Sequence, residues 1–315
     1  MSETATVMGA VIPVFGIAGI GLLIRKLNWL TEEADKSLVR VVVNLLLPCL
    51  ILDSALGNPA LSQISNLLLA PVLGIGAVAI GTAVAWMARP LHGLTDGTQR
   101  RTFAISVGMY NYGYIPLPLV LMLFDKQTAG VLFVHVVGVE IAMWTLGVMV
   151  ISGGSTGLDF RKIINGPLIA IVLALLLNAV GLNARVPGVV TTTMHWLGQC
   201  SIPVALILIG AIMADHLQEF HSAHGWRVIG TSVLLRVGLL PVLFLLAAKY
   251  LPATLELKRV LVLEAAMPAA VFPIVLSKHY NGDPPTAMRV VLGTTVVGLV
   301  TIPLWIRFGM KFVGL

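Results

Sequence analysis

Long apolar stretches dominate this chain of 315 residues and limit what it can fold into. A helix that crosses the hydrocarbon core of a bilayer needs roughly 20 predominantly apolar residues. By that measure the sequence predicts an all-α membrane protein with ten transmembrane helices, numbered here as segments 1 to 10. In order, the segments cover residues 7–24, 38–56, 66–88, 102–124, 127–151, 163–182, 190–214, 226–250, 257–279 and 286–310.

Composition excludes an ordinary soluble domain. The chain is 57% hydrophobic and 11% charged, whereas soluble domains carry about 25% charged residues. The lipid bilayer is therefore the expected surrounding. The net charge of +6 does not indicate nucleic acid, because the positive charges lie in short loops, where they set membrane topology.

The Lys and Arg residues of the loops are distributed unevenly, with twelve on one side of the predicted segments and seven on the other. The positive-inside rule then places both termini outside and the loop 152–162 in the cytoplasm. Segment 1 lacks a basic region on its N-terminal side and an Ala-x-Ala cleavage site, so it is predicted to be a retained helix. We expect a multi-pass protein of a bacterial inner membrane.

The two halves of the chain share motifs at a fixed offset. Asn44 and Gln199 each precede a proline by four residues, and they lie 199 − 44 = 155 residues apart. Pro118 and Pro273 have the same offset, 273 − 118 = 155.

A Ser/Gly-rich linker at 152–162 divides the chain into 1–151 and 163–315, with five segments in each part. An odd number of helices forces the halves into opposite orientations. The sequence therefore predicts two inverted five-helix repeats.

Segments 4 and 9 are each interrupted by glycine and proline, at 108–118 and 266–273. Matched interruptions in two inverted halves are typical of the midplane binding site of a secondary transporter. The half-helix ends would attract an anion, because an N-terminal end carries a partial positive charge. A pair of ordinary proline kinks packed against neighbouring helices is the alternative. The predicted substrate-binding residues are Asn111, Tyr112, Gly113, Pro116, Pro118, Met267, Pro268, Ala269 and Pro273, together with Asn44 and Gln199.

Ionisable residues inside the membrane are costly and therefore indicate function. Glu264 precedes the second interruption by one helical turn, and we expect it to bind a proton or a sodium ion. A structural carboxylate paired with Arg236 is the alternative. Glu140 in segment 5 is a second candidate for ion coupling, although it or His135 could equally make an interhelical hydrogen bond.

Other polar residues are assigned structural roles. Asp53 is expected near the membrane edge. The loop after segment 7 contains a group of acidic and histidine side chains that could bind a metal. A solvated loop is the preferred interpretation of this group. No metal site and no organic cofactor are therefore predicted. The residues of this group are Asp215, His216, Glu219, His221 and His224.

The sequence lacks the paired acidic motifs of intramembrane prenyltransferases and aspartyl proteases, and it lacks a Ser/His arrangement. It therefore predicts a secondary transporter of small organic anions and not an enzyme. A channel or sensor of the same fold remains an alternative, as does an uncoupled uniporter.

Several of these motifs resemble one family. The stretch 111–118 resembles the Asn-x-Gly-x-x-Gly-x-Pro signature of the auxin efflux carrier family, with Pro116 where the family usually has glycine. The stretches 44–48, 267–280 and 297–305 are similar to that family's second, ninth and last helices. The resemblance implies a scaffold of segments 1, 2, 6 and 7, and a transport group of segments 3–5 and 8–10 whose segments 4 and 9 cross. It also implies organic-anion substrates, homodimers and elevator-type alternating access.

A second resemblance concerns Glu264. The stretch Glu264-Ala-Ala-Met267 is similar to the Glu-x-x-Met stretch of the bile acid:sodium symporters, which place sodium-coordinating groups there. Plant auxin carriers usually lack this acid and are usually inferred to be uncoupled. The resemblance therefore implies ion coupling at Glu264 for this chain.

Overall fold

The computed structural model describes residues 3–155, 163–215 and 225–315, and its regular elements in these ranges are all helices. We number the main helices α1 to α12 in chain order. They are α1 Glu3–Lys26, α2 Glu32–Ala55, α3 Ile64–Met87, α4 Gly97–Gly108, α5 Pro116–Leu123, α6 Lys126–Ile151, α7 Gly166–Ala179, α8 Gly188–Asp215, α9 Trp226–Tyr250, α10 Leu255–Ala265, α11 Phe272–His279 and α12 Pro284–Val313.

Within the described ranges, seven helices are long and apolar enough to cross a membrane, namely α1, α2, α3, α6, α8, α9 and α12. Helix α7 is apolar but shorter, and it occupies the position of predicted segment 6. Segment 4 corresponds to the pair α4 and α5, and segment 9 to the pair α10 and α11. A count of ten crossings stays a prediction, because these three segments do not form single long helices.

Polar caps fix where the helices begin. The side chains of Asp125, Asn165 and Asp283 accept hydrogen bonds from backbone N–H groups in the first turns of α6, α7 and α12. Each cap satisfies a donor that the helix itself leaves free. Helix α2 begins at Glu32, six residues before the predicted start, because the Thr31 hydroxyl caps a polar first turn outside the apolar run.

Several pairs of helices pack closely. Helix α1 packs on α8 and α2 packs on α7, while α3 packs on α4 and α6, and α9 packs on α10 and α12. Helices α1 and α8 approach closely because Gly21 and Gly210 face backbone atoms of Ile207 and Ala18, where a Cβ atom would have no room. Small residues allow this kind of close approach between membrane helices.

Three of the long helices contain a π-helical turn, at Val42–Leu46, Met143–Gly147 and Leu234–Leu239. Such turns widen a helix locally and are frequent at functional sites. The third one carries Arg236, whose side chain is completely buried. This turn therefore brings a positive charge into the interior of the molecule.

Candidate functional site

The two interrupted helices meet at their interruptions. We call residues 109–115, between α4 and α5, break 1, and residues 266–271, between α10 and α11, break 2. The Asn111 N–H donates to the Pro268 carbonyl at 2.7 Å, and the Ala270 N–H donates to the Met109 carbonyl at 2.9 Å. The breaks therefore lie side by side and satisfy each other's backbone groups, as unwound backbone inside a membrane requires.

Proline and asparagine shape the start of α5. Pro116 and Pro118 have no N–H group, and the Leu117 N–H donates to the Gly113 carbonyl at 3.0 Å. The Asn111 side-chain oxygen accepts from the Ile115 N–H at 3.2 Å. The first turn of α5 consequently offers fewer free N–H donors than a helix start without proline, although the partial charge of the helix end remains.

The predicted residues of break 1 and α5 differ in their exposure. Asn111, Pro116 and Pro118 are buried, while Tyr112 and Gly113 are half-buried. The Tyr112 hydroxyl donates to the Met143 sulfur at 3.6 Å. A Cβ atom added to Gly113 would meet nothing within 4 Å, so there is open space beside this glycine.

The predicted residues of break 2 are all buried. Met267, Pro268 and Ala269 lie in the break, and Pro273 lies in the first turn of α11. The Ala269 N–H donates to the hydroxyl of Thr294 at 3.1 Å, which ties break 2 to α12. Sequence reasoning missed Thr294, since a threonine within an apolar helix gives no distinct signal.

Asn44 and Gln199 lie apart from the two breaks. Both are exposed on the surfaces of α2 and α8, and the Asn44 amide donates to the Arg40 carbonyl of its own helix. In the described part of the chain, neither residue is hydrogen-bonded to a break. Their role in substrate binding stays a prediction.

Glu264 and Arg236 lie together behind break 2. Arg236 donates from Nε to the Met267 carbonyl at 3.0 Å and from Nη2 to the Glu264 carbonyl at 3.4 Å. Its guanidinium group also lies 5.2 Å from the centre of the Tyr110 ring. The sequence alternative had Arg236 paired with the Glu264 carboxylate, but the arginine instead donates to the backbone oxygens of Met267 and Glu264 at the end of α10.

The Glu264 carboxylate itself is completely buried. Neither of its oxygens, nor Nη1 of Arg236, has a hydrogen-bond partner among the described residues. A buried carboxylate without a partner costs several kcal/mol when it is charged. The site is thus built around an acid that a proton or another cation would stabilise.

A hydrogen-bonded pair connects break 1 to α6. His135 Nδ1 lies 2.9 Å from the Ala70 carbonyl, and its Nε2 lies 2.7 Å from the Tyr110 hydroxyl. Because a carbonyl oxygen only accepts, the proton of the neutral ring is on Nδ1 and Tyr110 donates to Nε2. Both residues are completely buried, so His135 holds the tyrosine of break 1 in place.

Two further polar contacts join helices of the expected scaffold to helices of the expected transport group. Glu140 on α6 accepts a hydrogen bond at 2.7 Å from Asn165, the cap of α7. Asp53 on α2 forms an ion pair at 2.8 Å with Lys126 on α6, and it also lies 3.1 Å from His195 Nδ1 on α8. The sequence expectation of a structural role fits this arrangement of Asp53.

An apolar cavity of about 150 Å³ lies between α1, α8 and α12 and reaches Ile115 of break 1. Thr295 is the residue of its lining that carries a hydroxyl, and two glycines, Gly19 and Gly210, also line it. A cavity of roughly this size in another protein holds benzene. The remaining lining residues are Val14, Phe15, Ala18, Leu22, Leu206, Ile209, Met213, Val296 and Leu299.

The described residues contain no group of three or more His, Cys, Asp or Glu side chains that could hold a metal ion. His216, Glu219, His221 and His224 lie outside the described residues. Asp215 pairs with Arg25 at 3.2 Å.

Comparisons with known proteins place the chain among membrane transporters. A family profile described as a membrane transport protein matches residues 6–306. Over 311 residues the chain is 27% identical to an uncharacterized transporter of Methanothermobacter thermautotrophicus, covering 97% of this chain and 98% of the relative. Over 306 residues it is 23% identical to an uncharacterized transporter of Methanocaldococcus jannaschii, covering 95% and 97% of the two chains.

A plant protein shares a shorter region. The chain is 31% identical over 130 residues to auxin efflux carrier component 8 of Arabidopsis thaliana, covering 40% of this chain and 34% of that protein. The family profile spans nearly the whole sequence, including both breaks. The chain therefore belongs to the membrane transport protein family, and it resembles the auxin efflux carriers of that family.

Proposed function

We propose that this protein is a secondary transporter of small organic anions, with the substrate carboxylate held where break 1 meets break 2. The observation that carries the proposal is the backbone pairing of the two breaks through Asn111, Pro268, Met109 and Ala270. Each break is followed by a half-helix, α5 or α11, and the N-terminal end of such a half-helix carries a partial positive charge that favours an anion.

Asn111 is the residue proposed to select the anion. Its side-chain oxygen is used by the Ile115 N–H, so its amide nitrogen is the atom left to donate to a carboxylate. The adjoining apolar cavity at Ile115 favours an anion that carries a small apolar body. Monocarboxylates are therefore proposed to bind better than dicarboxylates of similar size.

We further propose elevator-type movement of α3–α6 and α9–α12 against α1, α2, α7 and α8, in a homodimer within the cell membrane. The grouping is supported by the packing of α1 on α8 and of α2 on α7. The dimer and the placement of both termini outside follow from the family resemblance and the charge distribution.

Coupling is proposed to occur through Glu264, the buried acid without a partner. The test uses purified protein in proteoliposomes, with a thermal-shift screen of carboxylates to choose the transported anion. Uptake is then measured under an imposed proton gradient or sodium gradient. Wild-type protein is expected to accumulate the anion under one of the gradients, whereas Glu264→Gln is expected to equilibrate it without accumulation.

The outcomes separate the alternatives. Equilibrating uptake by the wild type under both gradients would identify an uncoupled uniporter. Gradient-driven uptake that is unchanged in Glu264→Gln would assign the coupling to another residue. Glu256→Gln, in the first turn of the same helix, is the matched control and is expected to keep wild-type accumulation.

A further inference from the structure

Arg236 is a second charged group of the site that sequence reasoning did not assign to function. It is completely buried in the π-helical turn of α9. Its Nε and Nη2 bind the carbonyls of Met267 and Glu264, directly beside Pro268, whose carbonyl pairs with Asn111. The guanidinium group thus contacts Met267 of break 2 directly and lies over the Tyr110 ring of break 1.

The surroundings of Arg236 provide little compensation for its charge. Its guanidinium carbon lies 5.2 Å from the ring centre of Tyr110 and 5.4 Å from that of Phe244. Its Nη1 has no hydrogen-bond partner among the described residues. Aromatic faces stabilise a cation only partly. The charge of Arg236 therefore also acts on nearby anions, namely the Glu264 carboxylate and a bound substrate.

Glu264 is the acid that faces this cation. The titratable and charged groups around Glu264 come from three elements. They are Arg236 on α9, Tyr110 in break 1, and His135 on α6, which is hydrogen-bonded to the Tyr110 hydroxyl. No ion pair within 4 Å joins Glu264 to Arg236 in the described residues. The carboxylate can therefore balance the charge of Arg236 from a distance without being held by a hydrogen bond.

We propose that the positive charge of Arg236 attracts the substrate anion to the site. We propose further that protonation of Glu264 strengthens this attraction. When Glu264 is ionised, the two charges cancel and the site is close to neutral. When the carboxylate takes a proton from water and becomes a carboxylic acid, the charge of Arg236 is uncompensated and attracts the substrate anion. This inference rests on the proposed function, since it assumes that the paired breaks bind an anion.

The size and the sign of the expected change in anion affinity follow from the charge of Arg236. A unit charge roughly 10 Å from an anion, at an effective dielectric constant of about 20, changes its affinity by roughly tenfold. Affinity should therefore be high at low pH and should fall by about tenfold as Glu264 loses its proton. Because linkage is reciprocal, binding of the anion should in turn draw a proton onto the protein.

The test measures the binding of indole-3-acetate and of lactate, two monocarboxylates, to detergent-purified protein between about pH 6 and 8.5, a range in which ordinary carboxylates are ionised. Proton uptake on binding is recorded with a pH indicator in weakly buffered solution. Wild type is expected to lose affinity as the pH rises and to take up protons. Glu264→Gln should bind tightly at every pH without proton uptake, while Arg236→Gln should bind weakly at every pH.

Matched controls lie on the same helices. Glu256→Gln in α10 and Lys249→Gln in α9 change the same charges near the ends of those helices, and both should keep the wild-type pH profile. If Arg236→Gln does not fold, Arg236→Lys, which keeps the charge, should retain the pH dependence. In that case the comparison of wild type with Glu264→Gln still tests whether protonation of Glu264 causes the pH dependence of the affinity.

Two results would overturn the inference while leaving the proposed function intact. One is an affinity of wild type that does not change over this pH range. The other is a Glu264→Gln variant that keeps the wild-type pH dependence and proton uptake. Failure of both anions to bind wild-type protein at any pH would instead count against the proposed function.

Discussion

The hydrogen bond between Tyr110 and His135 fixes one residue of break 1 in the interior. Tyr110→Phe would leave the ring nitrogen of His135 buried without a donor, which costs about 1–3 kcal/mol. We therefore expect a lower midpoint of thermal unfolding in detergent. Tyr250→Phe is the control, because Tyr250 is 72% exposed, and equal unfolding temperatures for the two variants would contradict the account.

Individual residues of the site could be predicted only in part from the sequence. Asn111 and Glu264 were identifiable because a polar residue beside an interrupted apolar segment is unusual. Arg236 and Thr294 act on break 2 from α9 and α12, far away in the sequence. Contacts at such separations depend on how helices pack, and a single sequence does not contain that information.

At the scale of the helices, the close packing of the end of α4 against α3 requires the glycine at position 108. A Cβ atom on Gly108 would collide with the backbone and hydroxyl of Thr82 on α3. Gly108→Ala should destabilise the protein by about 1–3 kcal/mol, the usual cost of overpacking. Gly113→Ala, where there is open space, should leave the stability unchanged, so a similar loss in both variants would rule out steric contact as the reason.

The cap of α6 provides a prediction about pH. Burial raises the pKa of Asp125, but hydrogen bonds from the Thr128 N–H and hydroxyl and the nearby Arg259 guanidinium outweigh it, so the pKa lies below its ordinary value. The stabilisation is therefore present at neutral pH and is lost as the pH falls through the lowered pKa.

Asp125→Ala should accordingly lower the stability by about 1 kcal/mol at neutral pH, as loss of a helix cap does. The difference from wild type should shrink as the pH falls through the lowered pKa of Asp125 and the carboxylate takes up its proton. Thermal unfolding at a series of pH values measures this. A stability difference between wild type and Asp125→Ala that grows on acidification would contradict this account of the cap.

Helix positions were largely predictable from apolar length, whereas their exact ends were not. Segments 4 and 9 were predicted to be interrupted, and the structure divides both at those residues. The early start of α2 depends on Thr31, and the late start of α7 depends on Asn165. Thr31 lies outside its apolar run and Asn165 lies near the start of its own, so a count of apolar residues does not identify either cap.

At the scale of the whole molecule, alternating access requires contacts between the two groups of helices to break. The ion pair between Asp53 and Lys126 joins α2 to α6, across the proposed boundary. Cross-linking cysteines at these two positions with a short bifunctional maleimide, after replacement of Cys49 and Cys200, should stop transport. Cysteines at Asp125 and Arg259, which pair within one group, should be cross-linked without loss of transport.

The result of this experiment bears on the domain assignment. If the cross-link between positions 53 and 126 left transport intact, the boundary between the moving and fixed helices would lie elsewhere. If both cross-links stopped transport, rigid movement of α3–α6 with α9–α12 would be excluded.

The central claim is that the protein carries an organic anion through a site at the paired breaks. Counterflow in proteoliposomes tests it most directly, with labelled indole-3-acetate outside and unlabelled anion inside. We predict saturable uptake that is accelerated by internal anion and is reduced at least tenfold in Asn111→Ala, the loss of about 1.4 kcal/mol expected for one hydrogen bond to a charged group. Uptake that does not saturate, or that internal anion does not accelerate, would contradict the claim.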